Sequence, residues 1–307
     1  MSGDGAVTVI VVGYAHAAYL PECLDSIRTQ TRPADRVLIA DDASPDDSRE
    51  VVAAYLGEHP GFAEFHPNPV NVGLTRTLNR MLALVGTEYV AYLSADDLML
   101  PSRLERHLAL LEETGADLAY SDAVVIDGDS RLLHASSSVE FPWPDEPARS
   151  ETVAECILES NWIPAASLLL RTGTLRAAGG YAESLFFEDF ELLVRLACRG
   201  SRFSYVEEPL VAVRRLSSSL AAQGFDREHS RYLVAMDAAL RHYEDAAPDA
   251  AERALSVRWE LAKRAGRSDL PWRTRLRMLT AARRGAQRRG AFAFHLLRTF
   301  GRSAVRR

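Results

Sequence analysis

Residues 88–115, EYVAYLSADDLMLPSRLERHLALLEETG, carry the pattern that decides the expected fold. The apolar segment EYVAYLS, typical of a buried strand, runs directly into the acidic pair Asp96-Asp97. A helical segment then has Pro101 at its start and Gly115 after its end, which is the usual punctuation of a helix. Two neighbouring carboxylates at the end of a buried strand repel each other, so this pair needs an explanation.

The segments before this stretch repeat the same alternation. VTVIVV (7–12) and RVLIADDAS (36–44) read as strands, each followed by a helical pattern; the second helix is predicted to open at Ser44-Pro45. Strands alternating with helices predict an α/β fold with a parallel sheet, whose ligands bind beyond the carboxyl ends of the strands. The turns Gly13-Tyr14, Asp41-Asp42 and Asp96-Asp97 all lie at such ends, so we expect them to share one crevice.

The second half of the chain follows a different pattern. After Leu118 the sequence predicts a strand, a turn at Asp127-Gly128 and another strand, which makes the sheet mixed. From about Asp226 onward the chain reads as helices only. We therefore predict two domains, a sheet domain over residues 1–225 and a basic helical C-terminal extension over residues 226–307.

The composition of the chain indicates its cell compartment and the classes of partner that it could bind. Three scattered cysteines without CxxC spacing, no signal-peptide pattern and no long apolar run predict a cytoplasmic protein. Residues 258–307 hold 15 Lys and Arg against two Asp and Glu, so a basic tail follows an acidic body. Two interpretations of the tail stay open, an interfacial helix on the inner face of an anionic membrane or an appendage packed on protein. No nucleic-acid-binding module accompanies the charge, so no nucleic acid partner is expected.

The acidic turns also have two interpretations. Asp96 and Asp97 could simply stabilise the start of the following helix. Alternatively, several carboxylates converge on one crevice because a cation joins them. Oxygen ligands favour Mg²⁺ or Mn²⁺, which would keep coordination positions open for a diphosphate.

Four blocks of sequence, taken together, resemble the inverting glycosyltransferases of family 2. They are VTVIVVGYAHAAYLPECLDSIRTQT, VLIADDASPDDS, NVGLTRTLNRMLA with EYVAYLSADDLMLPSRL, and AAGGYAESLFFEDFELLVRLACRG. The resemblance covers roughly Val7 to Leu220 and implies the nucleotide-sugar-binding fold called GT-A. It also implies a nucleotide-diphosphate sugar donor, most often a UDP-sugar, a hydroxyl-bearing acceptor and Mn²⁺ or Mg²⁺.

The resemblance implies a role for each matching position. Asp96 falls on the metal-ligating aspartate and Asp189 on the general base. Donor-binding positions are Tyr14, Asp41, Asp42, Arg76, Ser94, Asp96, Asp97 and Gly180, and the loop beside donor and acceptor holds Gly179, Tyr181 and Glu188. An acceptor hydroxyl would attack the anomeric carbon while one carboxylate takes its proton, since the leaving diphosphate needs no second acid. The expected setting is a bacterial surface polysaccharide, a glycolipid or a glycosylated metabolite.

Three departures from the family pattern favour an alternative. Ser94 replaces the first acid of the metal motif, Ala15 follows Tyr14 where an asparagine is usual, and Leu216 stands where many relatives carry histidine. These residues favour a catalytically impaired relative that acts as a binding or scaffold protein. Arg214 or Arg215 could contact the diphosphate instead, because arginine suits phosphate geometry. His16 is interpreted as an ordinary loop residue.

Overall fold

The computed structural model describes residues 5–183, 185, 188–216, 230–285, 292 and 295. Within them the strands are β1 (Val7–Gly13), β2 (Arg36–Asp41), β3 (Glu64–Phe65), β4 (Tyr89–Ser94), β5 (Leu98–Met99), β6 (Leu118–Ile126), β7 (Leu132–His134), β8 (Leu169–Arg171) and β9 (Phe203–Arg214). The helices are α1 (Leu20–Arg28), α2 (Ser48–Glu58), α3 (Leu74–Leu84), α4 (Arg103–Thr114), α5 (Val153–Cys156), α6 (Thr172–Ala177), α7 (Glu188–Cys198), α8 (Ser230–Arg241), α9 (Pro248–Ala265) and α10 (Trp272–Ala281).

The strands form a single mixed sheet in the order β3-β2-β1-β4-β8-β6-β9-β5, and β7 pairs with β6. Strands β1 to β4 are parallel to one another, as are β6 and β9. Strand β8 joins the two groups by pairing antiparallel with both β4 and β6. The predicted α/β fold with a largely parallel, mixed sheet flanked by helices is confirmed.

The core explains why the apolar segments became these elements. Every residue of β1 is buried, and α1 packs its apolar stripe of Leu20, Leu24 and Ile27 into the same cluster. Burial of each such side chain contributes about 1.5–3 kcal/mol of transfer free energy. Helix α4 ends at Gly115 in the left-handed conformation (φ 62°), as the sequence predicts.

The predicted start of α2 is wrong by about one turn. The helix begins at Ser48 rather than at Ser44-Pro45. The Ser44 hydroxyl donates to Asp41 instead of capping the helix, and Asp46 accepts hydrogen bonds from Ser48. Local side-chain bonds of this kind compete with helix initiation, so residues 44–47 form a turn.

The chain divides into two compact units. The first comprises residues 1–153, 160–183 and 201–216 and contains the sheet; the second comprises residues 154–159, 184–200 and 217–307 and contains α7 to α10. The predicted domain boundary at 225/226 lies between residues 217 and 229, outside the described residues. Helix α7, which carries Glu188 and Asp189, belongs to the second, helical unit.

The helical unit has a core of its own. Trp259, Ala262, Leu279 and Ala282 form a buried cluster between α9 and the end of α10. Two arginines, Arg241 and Arg277, each lie 2.9 Å from Asp237. The predicted helical extension is thus confirmed over residues 230–285, where part of the basic tail packs against protein. Among the described helices, none has the length and apolar character needed to span a bilayer.

Candidate active site

The carboxyl ends of β1, β2 and β4 meet at one edge of the sheet. Gly13 pairs with Asp41, and Val12 pairs with Ser94, so the turns that follow the three strands are neighbours. Tyr14 follows Gly13 with 47% of its surface exposed, which leaves its ring available to stack on a flat ligand. The turns after β1, β2 and β4, which the sequence predicts to share one crevice, therefore lie side by side at this edge.

The acids after β2 are buried and hydrogen-bonded within the protein. Asp41 accepts hydrogen bonds from the backbone N–H and hydroxyl of Ser44, and Nε of Arg49 lies 2.8 Å from its Oδ2. The carboxylate of Asp42 accepts three more, from the Asn68 side chain (2.7 Å) and the backbone N–H groups of Val72 (2.9 Å) and Gly73 (2.8 Å). Both acids order the loops around the crevice; their contacts with a nucleotide stay a prediction.

Asp96 and Asp97 occupy a tight turn after β4. The Ser94 hydroxyl donates to Oδ1 of Asp96, so serine supports the carboxylate where the family pattern has a further acid. Oδ1 of Asp97 accepts a hydrogen bond from the backbone N–H of Arg214 at 2.8 Å. Burial, followed by the nearby Asp96 charge, raises the pKa of Asp97 well above its usual value. Asp97 therefore supports the turn, whereas Asp96 presents its Oδ2 to the crevice side facing His16.

Arg214 fastens this turn to its surroundings. Its guanidinium is fully buried: Nε donates to the Asp96 carbonyl (2.8 Å), and Nη2 pairs with Glu22 (2.8 Å). Nη1 donates to the Asp127 carbonyl and the Ser130 hydroxyl, both at 2.9 Å. These four bonds direct the Arg214 guanidinium to protein acceptors, so the structure gives no support to a contact between Arg214 and a diphosphate. Arg215 pairs with Glu140.

His16 is a residue that the sequence interpretation missed. It lies in the turn after β1, and its Nε2 is 3.8 Å from Oδ2 of Asp96. Eighty residues separate the two in the chain, so no local pattern indicates their contact. The signal available in the sequence was only that His16 closely follows a strand whose end faces the crevice.

The Gly179-Gly180-Tyr181 loop is held by Asn79 of α3, another residue that the sequence interpretation missed. The Asn79 amide accepts a hydrogen bond from the Tyr181 N–H (2.8 Å) and donates to the Tyr181 carbonyl (2.9 Å). Gly180 has φ 70°, and a Cβ there would lie 2.5 Å from Oδ1 of Asn79. The loop therefore requires glycine for two independent reasons, its left-handed backbone and this close approach.

Arg76 also lies on α3 but is far less constrained. Its side chain is 62% exposed, and its Nε is 3.6 Å from a carboxylate oxygen of Glu183. An exposed pair of this length contributes little to stability. The guanidinium can reorient, and its predicted contact with the donor diphosphate stays a prediction.

Glu188 and Asp189 are the first two residues of α7, in the helical unit. Burial raises the pKa of Asp189 above the usual value of an aspartate. Burial, followed by the neighbouring Asp189 charge, raises the pKa of Glu188 to about 8. A carboxylate with a raised pKa is a stronger base, which suits the proton acceptor that the resemblance assigns to Asp189.

A comparison with known protein families decides the classification. The family model described as "Glycosyl transferase family 2" matches residues 8–171, more than half of the chain. The chain belongs to glycosyl transferase family 2. The matched range of this glycosyltransferase contains the turns after β1, β2 and β4, whereas Gly179, Asp189 and Arg214 lie beyond it.

Curated proteins similar to this chain include two bacterial glycosyltransferases. It is 27% identical over 157 residues to an uncharacterized glycosyltransferase of Nostoc sp., a match that covers 50% of this chain and 46% of the relative. It is 25% identical over 195 residues to the amylovoran biosynthesis glycosyltransferase AmsE of Erwinia amylovora, covering 64% of this chain and 70% of the relative. The chain thus matches about half the length of the first of these relatives.

Solved structures share the fold of this glycosyltransferase. S. aureus TarS 1-349 in complex with UDP-GlcNAc has a TM-score of 0.66 at 17% identity, covering 90% of this chain and 79% of that one. The mannosyltransferase PcManGT from Pyrobaculum calidifontis, in complex with GDP-Man and Mn²⁺, has a TM-score of 0.57 at 20% identity, covering 97% and 80%. At these identities the likeness establishes the GT-A fold predicted from the sequence.

The possible metal ligands around Asp96 indicate which kind of metal site the protein could form. In the part of the chain that the structure describes, no three or more His, Cys, Asp or Glu side chains group around one point. A metal held entirely by protein ligands is therefore not supported there. Asp96 instead fits a hard divalent cation that takes one or two protein ligands and completes its shell with phosphate oxygens and water.

Proposed function

We propose that the protein is an inverting glycosyltransferase that moves a sugar from a UDP-sugar to an acceptor hydroxyl with the help of Mn²⁺ or Mg²⁺. The observation that carries this proposal is Asp96, presented at the carboxyl edge of the parallel strands by Ser94 and the Arg214 clamp. Ligands of open α/β sheets bind at this edge. UDP is favoured because TarS binds UDP-GlcNAc on the same fold; GDP- and dTDP-sugars are the competitors in the test.

The chemistry needs few groups from the protein. The acceptor oxygen bonds to the anomeric carbon from the face opposite the diphosphate as the sugar–diphosphate bond breaks, and the hydroxyl proton passes to the Asp189 carboxylate. Tyr14 would stack on the nucleotide base, and Asp96 would hold a divalent cation. A bound cation would neutralise the charge that the leaving diphosphate gains.

The alternative of a catalytically impaired binding protein drew on Ser94, Ala15 and Leu216. In the structure the Ser94 hydroxyl donates to Asp96, so this substitution keeps the carboxylate in place. The raised pKa of Asp189 also favours an active base. We therefore favour the enzyme over the binding protein. We also propose that its acceptor is a precursor of a surface polysaccharide, a glycolipid or a glycosylated metabolite.

A panel of UDP-, GDP- and dTDP-sugars with and without Mn²⁺ tests the donor. We expect a UDP-sugar with Mn²⁺ to give the largest increase in melting temperature, since a ligand of the native state at 100 times its Kd adds about 2.7 kcal/mol. Turnover of that α-linked donor should yield a β-linked product by NMR. A product that keeps the α configuration rejects inversion, and no shift with any nucleotide sugar rejects donor binding.

We propose further that the basic tail brings the protein to the inner face of an anionic membrane. We assign the contact to residues 286–307, which hold six arginines and no aspartate or glutamate. Each basic residue near such a surface contributes about 1 kcal/mol. Truncation after Gly285 should abolish sedimentation with phosphatidylglycerol vesicles while UDP binding persists. Equal sedimentation of both proteins, or none by the full chain, overturns the membrane contact.

A further inference from the structure

His16 and Asp96 face each other across the crevice between the ends of β1 and β4. Their nearest atoms, Nε2 and Oδ2, are 3.8 Å apart, and the two side chains are 20% and 10% exposed. This separation exceeds a hydrogen bond. It falls between the spacings of about 3 Å and about 4.2 Å that adjacent and opposite ligands take around a cation bound at about 2.1 Å.

The turn that carries His16 is fixed through its backbone. Successive N–H groups of residues 15–17 each donate to a side chain from the segment 44–48, which connects β2 to the start of α2: to Ser44 (3.0 Å), Ser48 (3.2 Å) and Asp46 (3.0 Å). Ala15 adopts a left-handed φ of 58°, which costs a residue with a Cβ about 1–2 kcal/mol. The three hydrogen bonds offset this strain and aim the imidazole toward Asp96.

The two side chains are positioned independently of each other. Oδ1 of Asp96 accepts the Ser94 hydroxyl and its carbonyl accepts Arg214, which leaves Oδ2 directed at His16. The other ring nitrogen of His16, Nδ1, is buried and has no hydrogen-bond partner among the described residues. An unpaired buried nitrogen is unfavourable, so hydrogen bonding to protein does not explain the orientation of this ring.

We propose that His16 and Asp96 together hold the divalent cation, through Nε2 and Oδ2. This inference rests on the proposed function, in which a metal assists the transfer. It goes beyond that function because it gives the metal one nitrogen ligand and one oxygen ligand from the protein. His16 supplies a second protein ligand where Ser94 shortens the acidic motif. An imidazole ligand favours Mn²⁺ over Mg²⁺, which prefers oxygen ligands.

Pulsed electron paramagnetic resonance of the Mn²⁺–UDP complex tests the coordination directly. We expect the full-length protein to show the hyperfine coupling of a directly bound ¹⁴N, and His16→Gln to lose it. His59→Gln is the matched control, since His59 directly follows the C-terminal end of α2 and contacts the Tyr55 ring, and it should keep the coupling. By calorimetry, His16→Gln should weaken Mn²⁺-dependent UDP binding at least about tenfold and Mg²⁺-dependent binding much less.

Each outcome has one meaning. The inference is overturned if bound Mn²⁺ shows no ¹⁴N coupling, or if His16→Gln keeps full Mn²⁺ affinity. In either case His16 and Asp96 form only an ion pair, and the proposed function stands. UDP binding that is independent of every divalent cation, with no Mn²⁺ retained, overturns the inference together with the metal part of the proposed function. Calorimetry with UDP alone separates the two cases.

Discussion

Asp189→Asn is expected to lower the rate of sugar transfer by about a hundredfold to ten-thousandfold, the usual contribution of a positioned general base. The amide keeps the size of the side chain but cannot accept the hydroxyl proton. Release of UDP from the bound donor, with water as acceptor, measures the rate without knowledge of the natural acceptor. UDP affinity by calorimetry should be nearly unchanged, which separates a lost base from a lost binding site.

The pH dependence provides an independent check on Asp189. Since burial raises the pKa of this carboxyl, the wild-type rate should fall as pH drops through a value above the ordinary range of an aspartate near 3.9. The base acts in its ionised form, so raising the pKa moves this decline to higher pH. The residual rate of Asp189→Asn should lack the decline, and Glu188→Gln should retain it. Full activity in Asp189→Asn would remove Asp189 as the base.

Arg214→Met is expected to lower the free energy of unfolding by about 2–4 kcal/mol and to weaken UDP binding with Mn²⁺. The substitution leaves the carbonyl groups of Asp96 and Asp127 without their donors inside the protein. It also removes the cation that lies 4.7 Å above the Tyr19 ring. The melting temperature gives the stability change, and calorimetry well below that temperature gives the affinity of the folded protein.

Arg215→Met is the matched control for the Arg214 clamp. Arg215 is the next residue, but its side chain is 37% exposed and pairs with Glu140. An exposed pair contributes about 0–1 kcal/mol, so this variant should keep its stability within that range. If Arg214→Met binds UDP as tightly as the wild type, the clamp stabilises the fold but does not position Asp96.

The sheet and its helices were predictable because their signals are local. The β-branched run of β1 and the helical spacing of α1 predict a strand and a helix before any partner is known. The start of α2 was not predictable in the same way. Ser44 is an ordinary helix cap by pattern, yet its side chain bonds to Asp41 and to the backbone of Ala15 in another turn.

The residues of the candidate site also differ in whether a local sequence pattern identifies them. Asp96 could be identified because an acid pair at the end of an apolar strand matches a family motif. His16 could not, because its position follows from the register of β1 against β4 and from three hydrogen bonds between its turn and residues 44–48. Asn79 likewise acquires its role only when α3 lies beside the Gly180 loop.

Residue order and periodicity are enough to predict the class of sheet, the family and the placement of acids at the strand ends. The tertiary structure decided what each of those acids does. It committed Asp42 and Asp97 to backbone donors, buried Arg214 among protein acceptors, and left Oδ2 of Asp96 facing His16. The reason is that hydrogen-bond partners are assigned by distance in space, and these partners lie 30 to 192 residues apart in the chain.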